Sequence, residues 1–236
     1  MAKAHAFVAD LDRPELDPAD RHHLERVLRL RAGEEVTVSD GAGGWRPCRF
    51  GPVLLPTADV RRAPRPRPEL AVAFALVKGE RPEWVVQKLT ELGVDRIVPF
   101  AATRSVVRWD PERVGRHRDR LRRVAREAAM QSRRTWLPEV EDIATFDAVA
   151  TRPGAVLADA GGEPPTLPRG PVLVGPEGGW SAEELSRGLP RLALGPHVLR
   201  AETAAVAAAS LLAALRSGLV APAARAELHA GERGVH

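Results

Sequence analysis

The chain has 236 residues, 44% apolar and 28% charged, with 35 lysines and arginines against 31 acids for a net charge of +4. That length holds one large domain or two unequal ones. The balance excludes a disordered chain, and no apolar run reaches the roughly 18 to 20 residues of a membrane-spanning helix. A single cysteine, Cys48, excludes a disulfide framework and any multi-cysteine metal site. The first residues, MAKAHAFVADLDRPE, lack the apolar stretch of a secretory signal, so a cytoplasmic protein is expected.

Asp17 followed by Pro18 signals a helix start, and the helix is expected over 18–30 with Leu24, Val27, Leu28 and Leu30 as its apolar positions. Short apolar runs around 36–38 and 49–55 read as strands on either side of a DGAGG turn at 40–44. The stretch RRAPRPRP at 61–68 is stiff and unsuited to the interior of helix or sheet. A domain boundary is expected there, with a small β-rich domain over 1–68 and a second domain over 69–236. The run at 70–77 reads as a buried parallel strand, and 82–92 reads as a helix ended by Gly93. A strand at 97–100 follows, then a long basic helix capped by Asp110 and Pro111 and reaching about Gln131. Strands at 155–158, 172–174 and 192–194, with a helix between the last two, complete an alternation that means a parallel α/β sheet. From about 221 the tail has little apolar content and is expected to fray.

Only Lys3, Lys78 and Lys88 among the 35 cationic residues are lysines, leaving 32 arginines. A compositional bias explains the total but not the clustering. Between 104 and 134 there are eleven arginines against four acids, an excess of seven. Arginine binds phosphate bidentately, so this is a patch of nucleic-acid size, with a solvated helix face as the alternative. Five Trp, five Phe and no Tyr cannot supply the stacking face of an RRM-type domain.

The segment 172–214 carries the sharpest pattern. A buried strand ending in Leu173 and Val174 runs into Gly175-Pro176-Glu177-Gly178-Gly179, and Ser181 with Glu184 forms an S-x-x-E capping box. Glycines beside a helix start let backbone N–H groups approach a ligand closely. A second loop holds Leu194-Gly195 and Leu199-Arg200-Ala201-Glu202-Thr203-Ala204 before a helix of small residues. The two loops are expected to leave adjacent strands at one C-terminal edge, where open α/β sheets bind ligands. There is no P-loop and no G-x-G-x-x-G. The nearest imitation, Asp159-Ala160-Gly161-Gly162, precedes two prolines and reads as a loop. The seven histidines show no ligand spacing, no G-x-S-x-G marks a serine nucleophile, and Cys48 reads as a packed thiol. No metal is expected.

GPEGGWS at 175–181, LG at 194–195 and LRAETA at 199–204 resemble the SPOUT class of methyltransferases, and more narrowly the RsmE family. QKLTELGVDRIVPF at 87–100, Arg104-Ser105-Val106, AAMQSRR from 128 with Pro138, HHLERVLRLRAGEEV at 22–36 and the Asp40-Gly41 turn match as well. The resemblance spans nearly the whole chain in order. It implies a SPOUT-type trefoil-knot α/β domain, an arrangement chains almost always avoid, preceded by a small PUA-like β-barrel domain. It also implies methylation of N3 of a uridine in 16S ribosomal RNA, within the small ribosomal subunit, by a homodimer that uses S-adenosylmethionine. Two positions depart from the family pattern: Met130 stands where the family usually has glutamate, and His5 stands near a usual arginine.

The resemblance implies a cofactor bound by Leu173, Val174, Gly175, Pro176, Glu177, Gly178, Gly179, Leu194, Gly195, Leu199, Arg200, Ala201, Thr203 and Ala204. Arg200 and Glu202 are the catalytic candidates. The proton acceptor is open among Glu202, solvent and a uracil anion stabilised by Arg200, and an ion pair between these two residues is a structural alternative. RNA contacts are expected from His22, Arg26, Arg29, Arg104, Arg116, Arg120, Arg123, Gln131 and Arg134. The helix after Thr203 has no wide polar stripe and is expected to be covered on all sides, with alanines such as Ala205, Ala208 and Ala209 at a two-fold interface. Two other readings are a related enzyme acting on a different RNA site and a non-catalytic RNA-binding assembly protein.

Overall fold

A computed structural model describes residues 2–76, 81–105 and 111–222, the side chains of 111–113 excepted. Among these residues no helix is long and apolar enough to cross a membrane.

The N-terminal region builds a five-stranded sheet. β1 (Ala4–Phe7) runs parallel to β2 (Glu35–Ser39), which pairs antiparallel with β3 (Gly44–Arg49). β3 also carries β4 (Leu55–Pro56) and β5 (Arg61–Arg62). The DGAGG segment is the hairpin turn. Asp40 Oδ1 accepts from the N–H groups of Ala42 (2.7 Å) and Gly44 (2.9 Å), while Gly41 and Gly43 take left-handed φ of 73° and 91°. The second expected strand is displaced: β3 ends at Arg49, where it was expected to begin, because Gly51-Pro52 breaks the ladder.

Helix α1 (Pro18–His22) starts as expected, with the Asp17 side chain accepting from Ala19 N at 2.8 Å. It then widens into a π-helical turn, His23–Val27, closed by Leu28 N–H on the His23 carbonyl. The helix therefore ends at Val27, three residues before position 30, and Arg29 turns left-handed (φ 53°) to bring the chain back. Leu24 and Leu30 are buried, but the wider turn leaves Val27 62% and Leu28 47% exposed.

The second sheet contains β6 (Ala71–Ala75), β7 (Arg96–Ala101), β8 (Glu139–Val140), β9 (Ala144–Thr145), β10 (Val156–Glu163), β11 (Val172–Val174) and β12 (Arg191–Leu192). Every pairing is parallel, in the order β12-β10-β11-β6-β7-β8, with β9 also on β7. Side chains alternate in β6. Val72 and Phe74 join the core beneath α2 (Arg81–Glu91), α3 (Pro111–Gln131) and the C-terminal helix, whereas Ala73 and Ala75 face a cluster of Phe100, Phe146 and Trp180. One-turn helices α4 (Phe146–Ala150) and α5 (Ala182–Ser186) follow β9 and β11. The C-terminal helix α6 (Ala201–Arg216) begins before Thr203, so Glu202 stands in its first turn.

Several expectations change here. β11 and β12 are not neighbours, since β10 lies between them. Asp159, Ala160, Gly161 and Gly162 belong to β10 and not to a loop. A Cβ on Gly162 would stand 2.4 Å from the Leu192 backbone, so glycine there lets β12 approach a strand whose register shifts. β12 has two residues, ending before Leu194. Val77 and the expected cap Asp110 lie outside the described residues. α6 buries one face only, through Ala205, Ala208, Ala209 and Leu212.

The C-terminal half of α3 fastens the two regions together. Arg126 forks onto the buried Asp20 carboxylate (2.9 and 2.5 Å) and the Phe7 carbonyl, Arg133 donates to Ala2 O (2.7 Å), and Trp136 Nε1 donates to Ala63 O (3.1 Å). His5 of β1 lies near this junction, 4% exposed, with Nδ1 2.8 Å from Thr37 Oγ1 and Nε2 without a partner. Burial pushes its pKa down to about 4. Its folded value lies below the unfolded one, so the unfolded chain binds the extra proton. Stability from this site is complete above about pH 6.5 and is lost as pH falls toward 4. Two and a half units correspond to about 3 kcal/mol. Denaturant titrations of wild type and His5→Gln between pH 7 and 4 should show the wild type losing up to about that much more than the variant.

Candidate functional site

The glycine loop leaves β11 and closes on itself through Gly179 N–H to Pro176 O at 2.9 Å. Gly179 takes the left-handed φ of +68°, and a Cβ there would meet no atom within 4 Å, so the backbone faces open space. Gly178 is not left-handed, and a Cβ on it would stand 3.3 Å from Arg104 Cβ. Gly175 makes room for the Trp180 ring, which would lie 3.0 Å from an added Cβ and whose Nε1 donates to Ala158 O. The capping box forms as expected. Ser181 Oγ accepts from Glu184 N (3.1 Å), and Glu184 Oε2 accepts from Ser181 N (2.7 Å). The other Glu184 oxygen accepts from Thr103 N (2.9 Å), tying the loop after β7 to the glycine loop. Arg104 adds a second tie, donating to Gly178 O at 3.0 Å.

Leu173 and Val174 lie inside β11 with their side chains in the core. They deliver the loop and cannot offer side chains to a ligand. The second loop carries exposed Gly195 and exposed Arg200, the latter at the N-cap of α6 with no side-chain capping bond. Leu194 and Ala204 are half-buried against the core, Ala201 is buried, Leu199 is half-buried and Thr203 is exposed.

Arg200 and Glu202 do not pair. The partner of Glu202 is Arg81, at the start of α2, whose Nη1 is 3.7 Å from Glu202 Oε2 and 2.9 Å from Glu177 Oε1. One guanidinium thus lies within reach of both the glycine loop and the LRAET segment. Glu202 Oε2 is buried and accepts no hydrogen bond. Sequence reasoning missed Arg81. The available signal was a cation in the first turn of a helix, against the macrodipole.

The arginines divide by geometry. Arg134, expected at the RNA, points inward instead. Burial lowers its pKa, and it donates to the carbonyls of Thr90 (2.9 Å) and Val94 (2.7 Å) and to Asp95. Arg118 and Arg122 reach Asp142, and Arg120 pairs with Glu83 at 2.9 Å. Arg26, Arg29, Arg104, Arg116, Arg123 and Gln131 are exposed. His22 and Gln131 stand on the wall of a cleft of about 1350 Å³ between the N-terminal region and helices α2 and α3. His5, Trp84 and Met130 line the same cleft, which reaches Arg81.

Residues 64–213 match the model of an RNA methyltransferase domain, and residues 16–51 match that of an RNA methyltransferase PUA domain. The chain belongs to the RNA methyltransferase family. Its relatives include proteins named ribosomal RNA small subunit methyltransferase E. The Bacillus subtilis protein is 31% identical over 81% of this chain and 86% of its own length, and that of Synechocystis is 34% identical over 85% and 72%. Among solved structures, a Legionella pneumophila methyltransferase with bound SAM matches at TM-score 0.76 and 29% identity, covering 89% of this chain and 96% of that one. The Neisseria gonorrhoeae ribosomal RNA small subunit methyltransferase E, bound to S-adenosylmethionine, matches at TM-score 0.76 and 27% identity, covering 90% and 97%. The fold is therefore the α/β architecture of these methyltransferases with a PUA-like N-terminal domain.

Gly179 is the position where a side chain both strains the backbone and fills the open side of the loop. A left-handed non-glycine residue costs about 1–2 kcal/mol. Gly179→Val should weaken S-adenosylmethionine binding at least tenfold by calorimetry while the protein still unfolds cooperatively.

Proposed function

We propose that this protein transfers a methyl group from S-adenosylmethionine to N3 of a uridine in 16S ribosomal RNA within the small ribosomal subunit. The observation that carries the reading is the meeting of the glycine loop and the LRAET loop around Arg81, in a chain of this family. The residues fit the cofactor: Gly179 and Gly195 are open on the side a Cβ would fill, beside an orphaned buried carboxylate oxygen. Residues 175–179, Leu194, Gly195 and residues 199–204 hold it, mainly through backbone groups. When bound, S-adenosylmethionine supplies a methyl group on a positive sulfur that departs as a neutral thioether.

The chain's own residues do the rest. They align the acceptor nitrogen and give its proton somewhere to go. Uracil N3 forms its new bond to carbon with the pair freed when its N–H breaks, and that proton passes to Glu202 Oε2. Arg200, exposed at the mouth of the loop, faces the developing uracil anion. Residues 1–68 with Arg26 and Arg29, together with Arg104, Arg116, Arg120, Arg123 and Gln131, serve RNA binding, and residues 69–236 carry the chemistry. The protein acts in the cytoplasm.

We also propose that it works as a homodimer. The face of α6 that the single chain leaves open contains Thr203, Val206, Ala207, Ser210 and Ala214, all exposed or half-exposed. Ala205, Ala208 and Ala209, first assigned to the interface, instead fill the core. Ala207→Glu should therefore give a folded monomer by sedimentation, whereas Ala208→Glu should give an insoluble or unfolded chain.

Nucleoside mass spectrometry of 16S RNA from a deletion strain tests the activity. 3-methyluridine should be missing at one position and return on complementation. A methyl mark lost from a different nucleotide would favour the related-enzyme reading, and absence of cofactor binding would favour the assembly-protein reading.

A further inference from the structure

The Arg81 ion pairs have no evident purpose in the fold. Its side chain is 42% exposed and that of Glu177 41%, and pairs this open to water contribute little to stability. Arg81 also begins α2, where the positive end of the helix disfavours a cation. A residue that breaks a local rule without a structural return marks a place where function sets the choice.

What Arg81 does is visible in its distances. Nη1 makes a true hydrogen bond to Glu177 Oε1 at 2.9 Å, which fixes the guanidinium. From that position it stands 3.7 Å from Glu202 Oε2, close enough for charge to act but too far for a hydrogen bond. Glu202 is 15% exposed, and this oxygen is buried with no donor. An unsatisfied buried acceptor is costly to keep. Here the nearby charge is the Arg81 guanidinium. The first turn of α6 favours the same carboxylate as an anion.

We propose that Arg81 is a positioning residue for methyl transfer. Anchored by Glu177, it holds Glu202 oriented as the acceptor of the uracil N3 proton. This rests on the reading that the protein methylates uridine N3.

The test uses the full-length protein and its RNA substrate, comparing wild type with Arg81→Gln, Arg81→Lys, Glu202→Gln and the double variant Arg81→Gln/Glu202→Gln. Arg81→Gln should keep its melting temperature within about 2 °C and lower kcat on the order of tenfold to a hundredfold at pH 7. It should leave the KM for RNA nearly unchanged. Arg81→Lys should restore most of kcat. S-adenosylmethionine affinity, read by calorimetry, should weaken by only a few fold as Glu177 loses its anchor. The double variant should be no slower than Glu202→Gln alone, since both act through one proton acceptor. An unchanged kcat in Arg81→Gln, a loss that falls on KM instead, or additive losses in the double variant would overturn the proposal. So would an equal collapse of cofactor binding and melting temperature that lysine does not repair. A wild type that makes no 3-methyluridine would instead refute the reading of the reaction on which it rests.

Discussion

Asp95, 9% exposed at the start of β7, is the point to which both the sheet and the helix layer are tied. Its carboxylate accepts from Leu70 N–H (3.0 Å), from Arg134 (3.3 Å) and from Arg216, while its own N–H donates back to Leu70 O (2.8 Å). The two guanidiniums then continue outward, Arg134 to the carbonyls of Thr90 and Val94 and Arg216 to that of Gly93. One buried anion therefore joins the entry of β6, the turn between α2 and β7, and the C-terminal ends of α3 and α6. A buried charge of this kind adds little over an apolar replacement, but losing one partner strands the others, at about 3–5 kcal/mol. The constraint it imposes is directional. With the C-terminal ends of α2, α3 and α6 held at one edge of the sheet, the starts of α2 and α6 come to the other edge, beside the glycine loop. Arg81 and Glu202 meet because Asp95, Arg134 and Arg216 fix the far ends of the helices that carry them.

Local chemistry strong enough to act alone was readable in the sequence. Asp40 with its glycines made the hairpin turn, Ser181 and Glu184 made the capping box, Gly93 ended α2, and the apolar run at 70–76 gave the central strand. Features decided by distant partners were not. β8 and β9 have two residues each and exist only because β7 offers its edge. The Asp159–Gly162 stretch has loop composition, yet Gly162 is what allows β12 to close on β10. The π turn at His23–Val27 reverses the burial of Val27 and Leu28 without any change in periodicity. The candidate site divides along the same line. Both glycine-bearing loops stood out as motifs, but the residue that joins them comes from a third segment and reveals itself only by distance.

The two positions expected to depart from the family pattern line one cleft. His5 and Met130 line the same cleft, one on β1 and the other near the end of α3, and Met130 packs against the N-terminal core while its sulfur lies 3.4 Å from Arg126 Nη1. A buried neutral imidazole and a thioether leave no unpaired charge at the junction, which is what low dielectric there would penalise most. Arg126 keeps its carboxylate partner in Asp20, so the junction retains one ion pair.

The arginine content carries two separate meanings that composition alone could not divide. Arg96, Arg126, Arg134, Arg152 and Arg216 each face carboxylates or carbonyls with much of their length buried, and they serve the fold. Arg118 and Arg122 lean on Asp142 at the surface, where such pairs are worth little and leave the guanidinium available to a stronger anion. Arg26, Arg29, Arg116 and Arg123 are exposed, with no carboxylate within ion-pair reach among the described residues. A phosphate backbone laid across this surface would meet that last set first, because no intramolecular partner has to be displaced and each contact releases counterions at full effect. The local excess of seven positive charges between 104 and 134 therefore overstates the binding surface on α3, since part of it is neutralised from within. Arg26 of the π turn and Arg29 just after it, which no charge count singled out, add to it from the N-terminal region.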